Sequence, residues 1–206
     1  MIEKLERVTG LTVSRETFER IQSYVAILTA ESKRQNLIAP STVASVWDRH
    51  VLDSAQLARF SPSEQASWVD IGSGGGLPGI ILAILSRGQI TLIEPRRLRA
   101  EFLVSAVDQL GLSERVNVEC AKSERVAGTF DVITGRAVAS LDEFLGISHH
   151  LSKDETTWVL PKGRSAQSEL AQAKLNWHCD ARVEQSSTDP ESQILVLTKV
   201  GAKKRR

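Results

Sequence analysis

The chain has little of what marks the more specialised protein classes. Its two cysteines, Cys120 and Cys179, form no Cys-x-x-Cys pair. That excludes a disulfide framework and points to reduced thiols in a reducing compartment. No apolar run approaches the roughly 18–20 residues needed to span a bilayer, and the opening "MIEKLERVTG" is charged, with no apolar signal segment. A soluble, cytoplasmic protein with no membrane partner is therefore expected. A large charge of one sign is also missing: 26 Lys and Arg stand against 25 Asp and Glu, a net +1. Any contact with nucleic acid must then come from a local patch. The four histidines are scattered and show no ligand spacing, so no metal is expected. Internal repeats and low-complexity stretches are absent as well.

What is there changes character near residue 60. Residues 1–60 read as helical. Ser14 suits an N-cap, and Phe18, Ile21, Val25 and Leu28 make an apolar stripe of helical period. Pro40 breaks that helix, and Ser41 or Thr42 can cap a second one running to Leu57. The polar loop "FSPSEQAS" then divides a helical extension (1–60) from a second unit (61–206). In that unit the strand-like segments "WVDI", "ITLIE", "VNVE", "FDVITGRA" and "TTWVLP" alternate with helical stretches over 78–87, 96–110, 141–150 and 165–175. "NWHCDARVEQ" and "SQILVLTK" read as a closing strand pair. The alternation predicts an α/β, Rossmann-like fold: a mostly parallel sheet with helices on both faces and an antiparallel pair at the end. Ligands of such sheets bind beyond the carboxyl ends of the strands.

One strand end stands out. After Asp70, five glycines (72, 74, 75, 76 and 79) fall within eight positions of "VDIGSGGGLPGI". Glycine costs chain entropy, so bare backbone must be needed here. A ligand can lie on such a loop, facing the free N–H groups of the helix that follows. Gly74-x-Gly76-x-x-Gly79 matches the dinucleotide fingerprint, and Glu94 lies 20 residues on, where a ribose-binding acid belongs. Asp70 argues for a different ligand. An acid beside the turn repels a pyrophosphate but attracts the ammonium of S-adenosylmethionine. A dinucleotide and a ligand-free turn stay as the alternatives.

The sequence then resembles a known family, the bacterial small-subunit rRNA guanine-N7 methyltransferases (RsmG, formerly glucose-inhibited division protein B). The resemblance rests on "NLIAP", "RHVLDS", "VDIGSGGGLPGI", "GRAVASL" and "PKG", in that order and spacing, and covers nearly the whole chain. It implies a class I methyltransferase sheet with an N-terminal helical extension. It implies S-adenosylmethionine as cofactor and, as partner, 16S rRNA or the small ribosomal subunit, with position 527 in the 530 loop as target. It also implies cofactor roles for Gly72 and Leu77 in the loop, Ser123 and Glu124 on the adenine side, Glu94 at the ribose, and Arg136 after the fourth strand. The family often carries a Lys-Arg pair after the ribose acid; here Leu98 takes the Lys position, Arg99 stands, and Arg96 and Arg97 add charge. A methyltransferase on a small molecule or protein is the other reading.

The chemistry fits what is missing. Guanine N7 is a free lone pair, so positioning rather than a general base is needed. The Asn/Asp-Pro-Pro-aromatic motif of amino-directed enzymes is replaced by "TGRA", and neither cysteine sits as a cytosine-directed nucleophile would. Arg136 is the candidate for substrate positioning, with an ion pair to Asp131 or Glu94 as its structural alternative. Arg49, His50 and Asp53 lie within a turn and a half of a helix and are candidates for the substrate mouth or for a self-satisfied polar cluster. Arg96, Arg97 and Lys162 are candidates for RNA phosphates, with a solvated loop lysine as the alternative for Lys162. The basic tail "AKKRR" reads as a solvated segment or a phosphate contact. The four tryptophans read mostly as core, and a monomer is expected.

Overall fold

The computed structural model describes residues 1–203; residues 204–206, the end of the basic tail, lie outside the described residues. A seven-stranded sheet carries the fold, in the order β3-β2-β1-β4-β5-β7-β6. The strands are β1 (Trp68–Ile71), β2 (Ile90–Ile93), β3 (Val116–Glu119), β4 (Val132–Thr134), β5 (Thr157–Lys162), β6 (Trp177–Gln185) and β7 (Gln193–Ala202). β1 to β5 run parallel; β7 pairs antiparallel with both β5 and β6. Strand order reverses at β1, whose neighbours are β2 on one side and β4 on the other. Connections leave β1 and β4 toward opposite edges, opening a crevice at their carboxyl ends.

Seven α-helices accompany the strands among the described residues: α1 (Ile2–Thr9), α2 (Arg15–Gln35), α3 (Asp53–Ala55), α4 (Gly79–Leu85), α5 (Arg97–Gln109), α6 (Leu141–Ser148) and α7 (Ala166–Asn176). Strand alternation builds a core on each face of the sheet. Trp68 packs with α1, α2, α4 and α5 through Leu5, Ile21, Leu28, Ile81 and Leu103. Val69 and Ile71 pack on the other face with α6 and α7 through Leu141, Phe144, Ala166 and Ala173. The N-terminal helices thus share one core with the sheet. No helix among the described residues is long and apolar enough to cross a membrane.

Ser14 caps α2 as its sequence foretells, its Oγ accepting from Thr17 N at 3.1 Å. The second expected helix departs from the reading. Instead of one α-helix to Leu57, the chain winds as a tight 3₁₀ segment (Pro40–Ser45), a wide π-turn (Trp47–Leu52), the single turn α3, and another 3₁₀ segment (Gln56–Phe60). Thr42 does not cap it; its hydroxyl donates to Ala39 O at 2.8 Å. The π-turn lies on "WDRHVL" and rotates Arg49 and His50 away from ordinary helical register with Asp53.

Candidate active site

β1 and β2 hold the glycine loop. The ladder continues past the strand end, with Gly72 N and Ser73 N both donating to Ile93 O, at 2.8 and 3.0 Å. Most of the glycines serve packing. A Cβ on Gly76 would lie 2.5 Å from Ile80 Cδ1 and 3.2 Å from Leu103 Cδ2. Gly75 fits beneath Leu28 and Leu37, and Tyr24 Oη donates to its carbonyl at 2.7 Å, pinning the loop to α2. Gly79 faces Leu92 and Asp70. Within the loop only Gly74, at φ +55, combines a left-handed backbone with open space on its Cβ side, where Arg99 Nη1 lies 3.9 Å away. Gly72 (φ +70) lies under Val138. At Gly76 the missing side chain lets the loop meet the core, a packing role beside the backbone ligand role expected of it. Leu77 is likewise buried, its N–H bonded to Ser73 O at 3.3 Å.

Two buried acids flank the loop. Asp70 is 1% exposed. Its Oδ2 accepts the first amide of α4, Gly79 N, at 3.0 Å, while Oδ1 has no partner. Burial pushes the Asp70 carboxyl up to about 7. Glu94 is also buried and grips the loop: Oε2 accepts from Gly74 N at 3.0 Å and Oε1 from Arg96 N at 2.8 Å. A half-satisfied buried carboxylate beside open glycine backbone fits an ammonium-bearing ligand, and S-adenosylmethionine meets that requirement. After β3, Ser123 is buried and its hydroxyl reaches Glu124 Oε2 at 3.2 Å. His150 Nε2, in the 3₁₀ turn that follows α6, bonds that segment through Ser123 O and Val126 O, both at 3.1 Å.

β4 delivers Arg136, and its partners differ from those expected. Asp131 sits at the amino end of β4, where its Oδ2 accepts from Ser67 N at 2.7 Å and Lys153 pairs with its Oδ1 at 2.6 Å. Those contacts, Lys153 first, hold the Asp131 carboxyl down at about 2. Glu94 is committed to the loop. Arg136 instead pairs with Asp53, Nη1 to Oδ2 at 3.2 Å, and its Nη2 lies 3.3 Å from His50 Nδ1. His50 Nε2 lies 2.7 Å from Thr42 Oγ1, whose own proton goes to Ala39 O. The hydroxyl is thus an acceptor, His50 carries its proton on Nε2, and Nδ1 accepts from Arg136. Burial and then the Arg136 charge push the His50 imidazole down to about 4, so it is neutral. Ala137, beside Arg136, is a non-glycine residue at φ +56, a strained backbone of the kind concentrated at functional sites.

The remaining candidates fall in three places. Arg49 reaches out to Asp189 Oδ2 at 3.5 Å. Arg96 and Arg97 are exposed at the start of α5, with Arg97 paired to Glu101 at 3.2 Å. Lys162 is neither solvated nor free: it is 13% exposed, bonded to Glu169 Oε2 at 2.7 Å and to Ala139 O at 3.1 Å. It holds the Arg136–Ala139 loop against α7. Two clefts, of 320 and 230 Å³, meet at Arg136 and Asp53, which line both. Trp68 and Trp158 are core, Trp47 stacks on Phe18, and Trp177 donates to Asp142 Oδ1 at 3.0 Å. Gln56 and Thr188, both bonded to Asp53, carried no sequence signal, because they meet it across more than 130 residues or from within an irregular turn.

A parallel sheet reversing at β1, a glycine loop with a buried acid beneath it and a second acid at the end of β2 define a class I, S-adenosylmethionine-dependent methyltransferase. The fold agrees with a solved structure, a TehB-like SAM-dependent methyltransferase from Corynebacterium glutamicum, at a TM-score of 0.59 and 15% identity over 82% of this chain and 98% of that one. The family model described as rRNA small subunit methyltransferase G matches residues 17–194, and the chain belongs to that family. It is 44% identical over 203 residues to the Ribosomal RNA small subunit methyltransferase G of Zymomonas mobilis, covering 94% of this chain and 91% of that protein. It is 45% identical over 195 residues to the protein of the same name from Sphingopyxis alaskensis, covering 93% and 83%.

Proposed function

We propose that this protein transfers a methyl group from S-adenosylmethionine to N7 of a guanosine in 16S rRNA, at position 527 of the 530 loop, acting as a cytoplasmic monomer. The observation that carries the cofactor half is the buried Asp70, bonded to Gly79 N through one oxygen and unpartnered at the other, beneath a glycine loop whose Gly74 has open space on its Cβ side. Membership of the family supports the rRNA half. Residues 61–206 form the methyl-transfer unit and residues 1–60 the cap over it.

In this reading Asp70 holds the ammonium end of the cofactor, Glu94 the ribose hydroxyls, and Ser123 and Glu124 the adenine side. Gly72 and Gly74 give the backbone surface, while Gly76 and Leu77 seat the loop on the core. Held by Asp70, Glu94 and the loop, the sulfonium would supply an activated methyl group to the lone pair of guanine N7, with the sulfur keeping the electron pair of the bond given up. N7 has no proton to lose, so the neutral His50 is not asked to act as a base. Arg136 donates from a fork fixed by Asp53 and His50, aimed at the guanine O6 edge or a neighbouring phosphate. Arg49, Arg96 and Arg97 supply exposed positive charge for RNA phosphates. Lys162 acts from behind, through Ala139.

The test is transfer of tritiated methyl to undermethylated small-subunit rRNA, naked and in intact subunits side by side, with nucleoside analysis of the product. Label in 7-methylguanosine is expected. Label in another nucleoside, or none in RNA while the cofactor still binds, would overturn the reading and favour a small-molecule or protein acceptor.

A further inference from the structure

Arg136 is anchored in a chain of contacts that runs through Asp53 to the loop between β6 and β7. Asp53 binds Arg136 through Oδ2 and spends its other oxygen, Oδ1, on two donors: Thr188 Oγ1 and Gln56 Nε2, each at 3.0 Å. Thr188 belongs to the loop between β6 and β7. That loop is fastened to the N-terminal segment by the fully buried Gln56, whose Oε1 accepts from Ser187 N at 2.8 Å and whose Nε2 donates to Ser186 Oγ at 3.0 Å. Ser186 is itself buried and supports Thr188 by accepting from its backbone N–H at 3.2 Å.

A carboxylate with one oxygen on a guanidinium can still rotate about its terminal torsion, which is broad and two-fold. Two donors on the opposite oxygen stop that rotation. The Arg136 fork, shared between Asp53 and His50, is then held in one direction. Asp53 and Arg136, with Ser192, also form the wall common to both clefts, so the same torsion sets the shape of both.

We infer that Thr188, with Gln56 behind it, is a positioning residue for methyl transfer: its hydroxyl fixes the Asp53 carboxylate and through it the direction of Arg136. The inference rests on the role given to Arg136 under Proposed function. The loop between β6 and β7 thus contributes to catalysis through Asp53 and Arg136.

The test is a double-mutant cycle in the full chain, with kcat and KM measured for methyl transfer to small-subunit RNA. Thr188→Val keeps the shape and removes the hydroxyl. It is expected to lower kcat/KM roughly five- to twentyfold, the upper scale of one ordinary hydrogen bond. Melting should stay within about 3 °C of the parent, because a half-buried loop hydroxyl carries little of the global stability. Thr188→Ser, which restores the hydroxyl, should recover activity. In an Arg136→Lys background, which has no fork to orient, Thr188→Val should cost less than about twofold, the non-additivity expected of groups acting through one another. A purely structural role for the loop would give the same factor in both backgrounds. Arg136→Lys impaired with Thr188→Val at parental activity, or additive losses, would overturn the inference alone. Arg136→Lys at parental activity would overturn the role of Arg136 itself and the inference with it.

Discussion

Asp70 holds a carboxylate in a place that favours neither charge nor water. With its pKa raised to about 7 by burial, the free protein takes up a proton there on going from pH 8 to 6. If the carboxylate pairs with the cofactor ammonium, affinity for S-adenosylhomocysteine should fall as pH drops through 7. Calorimetric titration from pH 8 to 6 should show that loss, and Asp70→Asn should bind weakly and without the pH dependence. The stability consequence runs the other way. A carboxyl whose folded pKa lies above its unfolded value of 3.8 binds its proton more tightly in the native state, so stability declines as pH rises from about 4 to 7. Asp70→Asn, freed of a buried charge, should melt higher than the parent at pH 8, with the difference vanishing toward pH 4. Gly74 is the other residue with a single job. Gly74→Val places a β-branched side chain on the open face at φ +55, adding strain of about 1–2 kcal/mol. Equilibrium dialysis should show S-adenosylhomocysteine binding weakened at least about tenfold in a chain that remains folded, since the new side chain stands where the ligand would lie and tenfold needs only about 1.4 kcal/mol. The acid at position 70 is legible in the sequence, because a carboxylate at a strand end before glycines has few other uses. The division of labour among the glycines is not, since Gly75, Gly76 and Gly79 are distinguished only by what a Cβ would strike.

At the scale of elements, the strands are the legible part. "WVDI", "VNVE" and the closing pair sit where their β-branched and alternating residues predict, because a buried parallel strand needs a short apolar run and little else. The segment 40–60 is not legible. Its apolar residues satisfy a helical period, but Val51, Leu52, Ala55 and Leu57 are buried through a succession of tight and wide turns. Periodicity cannot distinguish these from one α-helix, since the widened turn shifts register by about one residue. The contacts made from that segment are hidden for the same reason: Arg136 finds Asp53 and His50 only because the π-turn points them at β4. The loop of β1 depends in turn on α2. Tyr24→Phe removes the hydrogen bond to Gly75 O and leaves a buried carbonyl unsatisfied. Chemical denaturation should report a loss of about 1–3 kcal/mol, together with weaker cofactor binding, because the loop and the helix are one unit. Glu94→Ala removes the acceptor for two backbone amides, Gly74 N and Arg96 N, as well as the partner proposed for the ribose. Its effect on S-adenosylhomocysteine affinity should therefore exceed about tenfold, more than one missing hydrogen bond would give.

For the molecule as a whole, the sheet is the frame, and the segment before β1 and the loop between β6 and β7 close over the same place. The N-terminal segment reaches the loop between β6 and β7 through Gln56, Asp53 and Arg49, so residues far apart in sequence meet at Arg136. The antiparallel arrangement of β7, set between β5 and β6, has a bearing on biosynthesis. β7 is made after every other strand, yet among the described residues it supplies the only partner for β6 and covers the outer edge of β5. While a ribosome is still synthesising the chain, β5 waits with its backbone groups open, an edge prone to pairing with other chains. The enzyme proposed to methylate ribosomes thus stays unfinished, and without its Arg136 clasp, until β7 itself has been made.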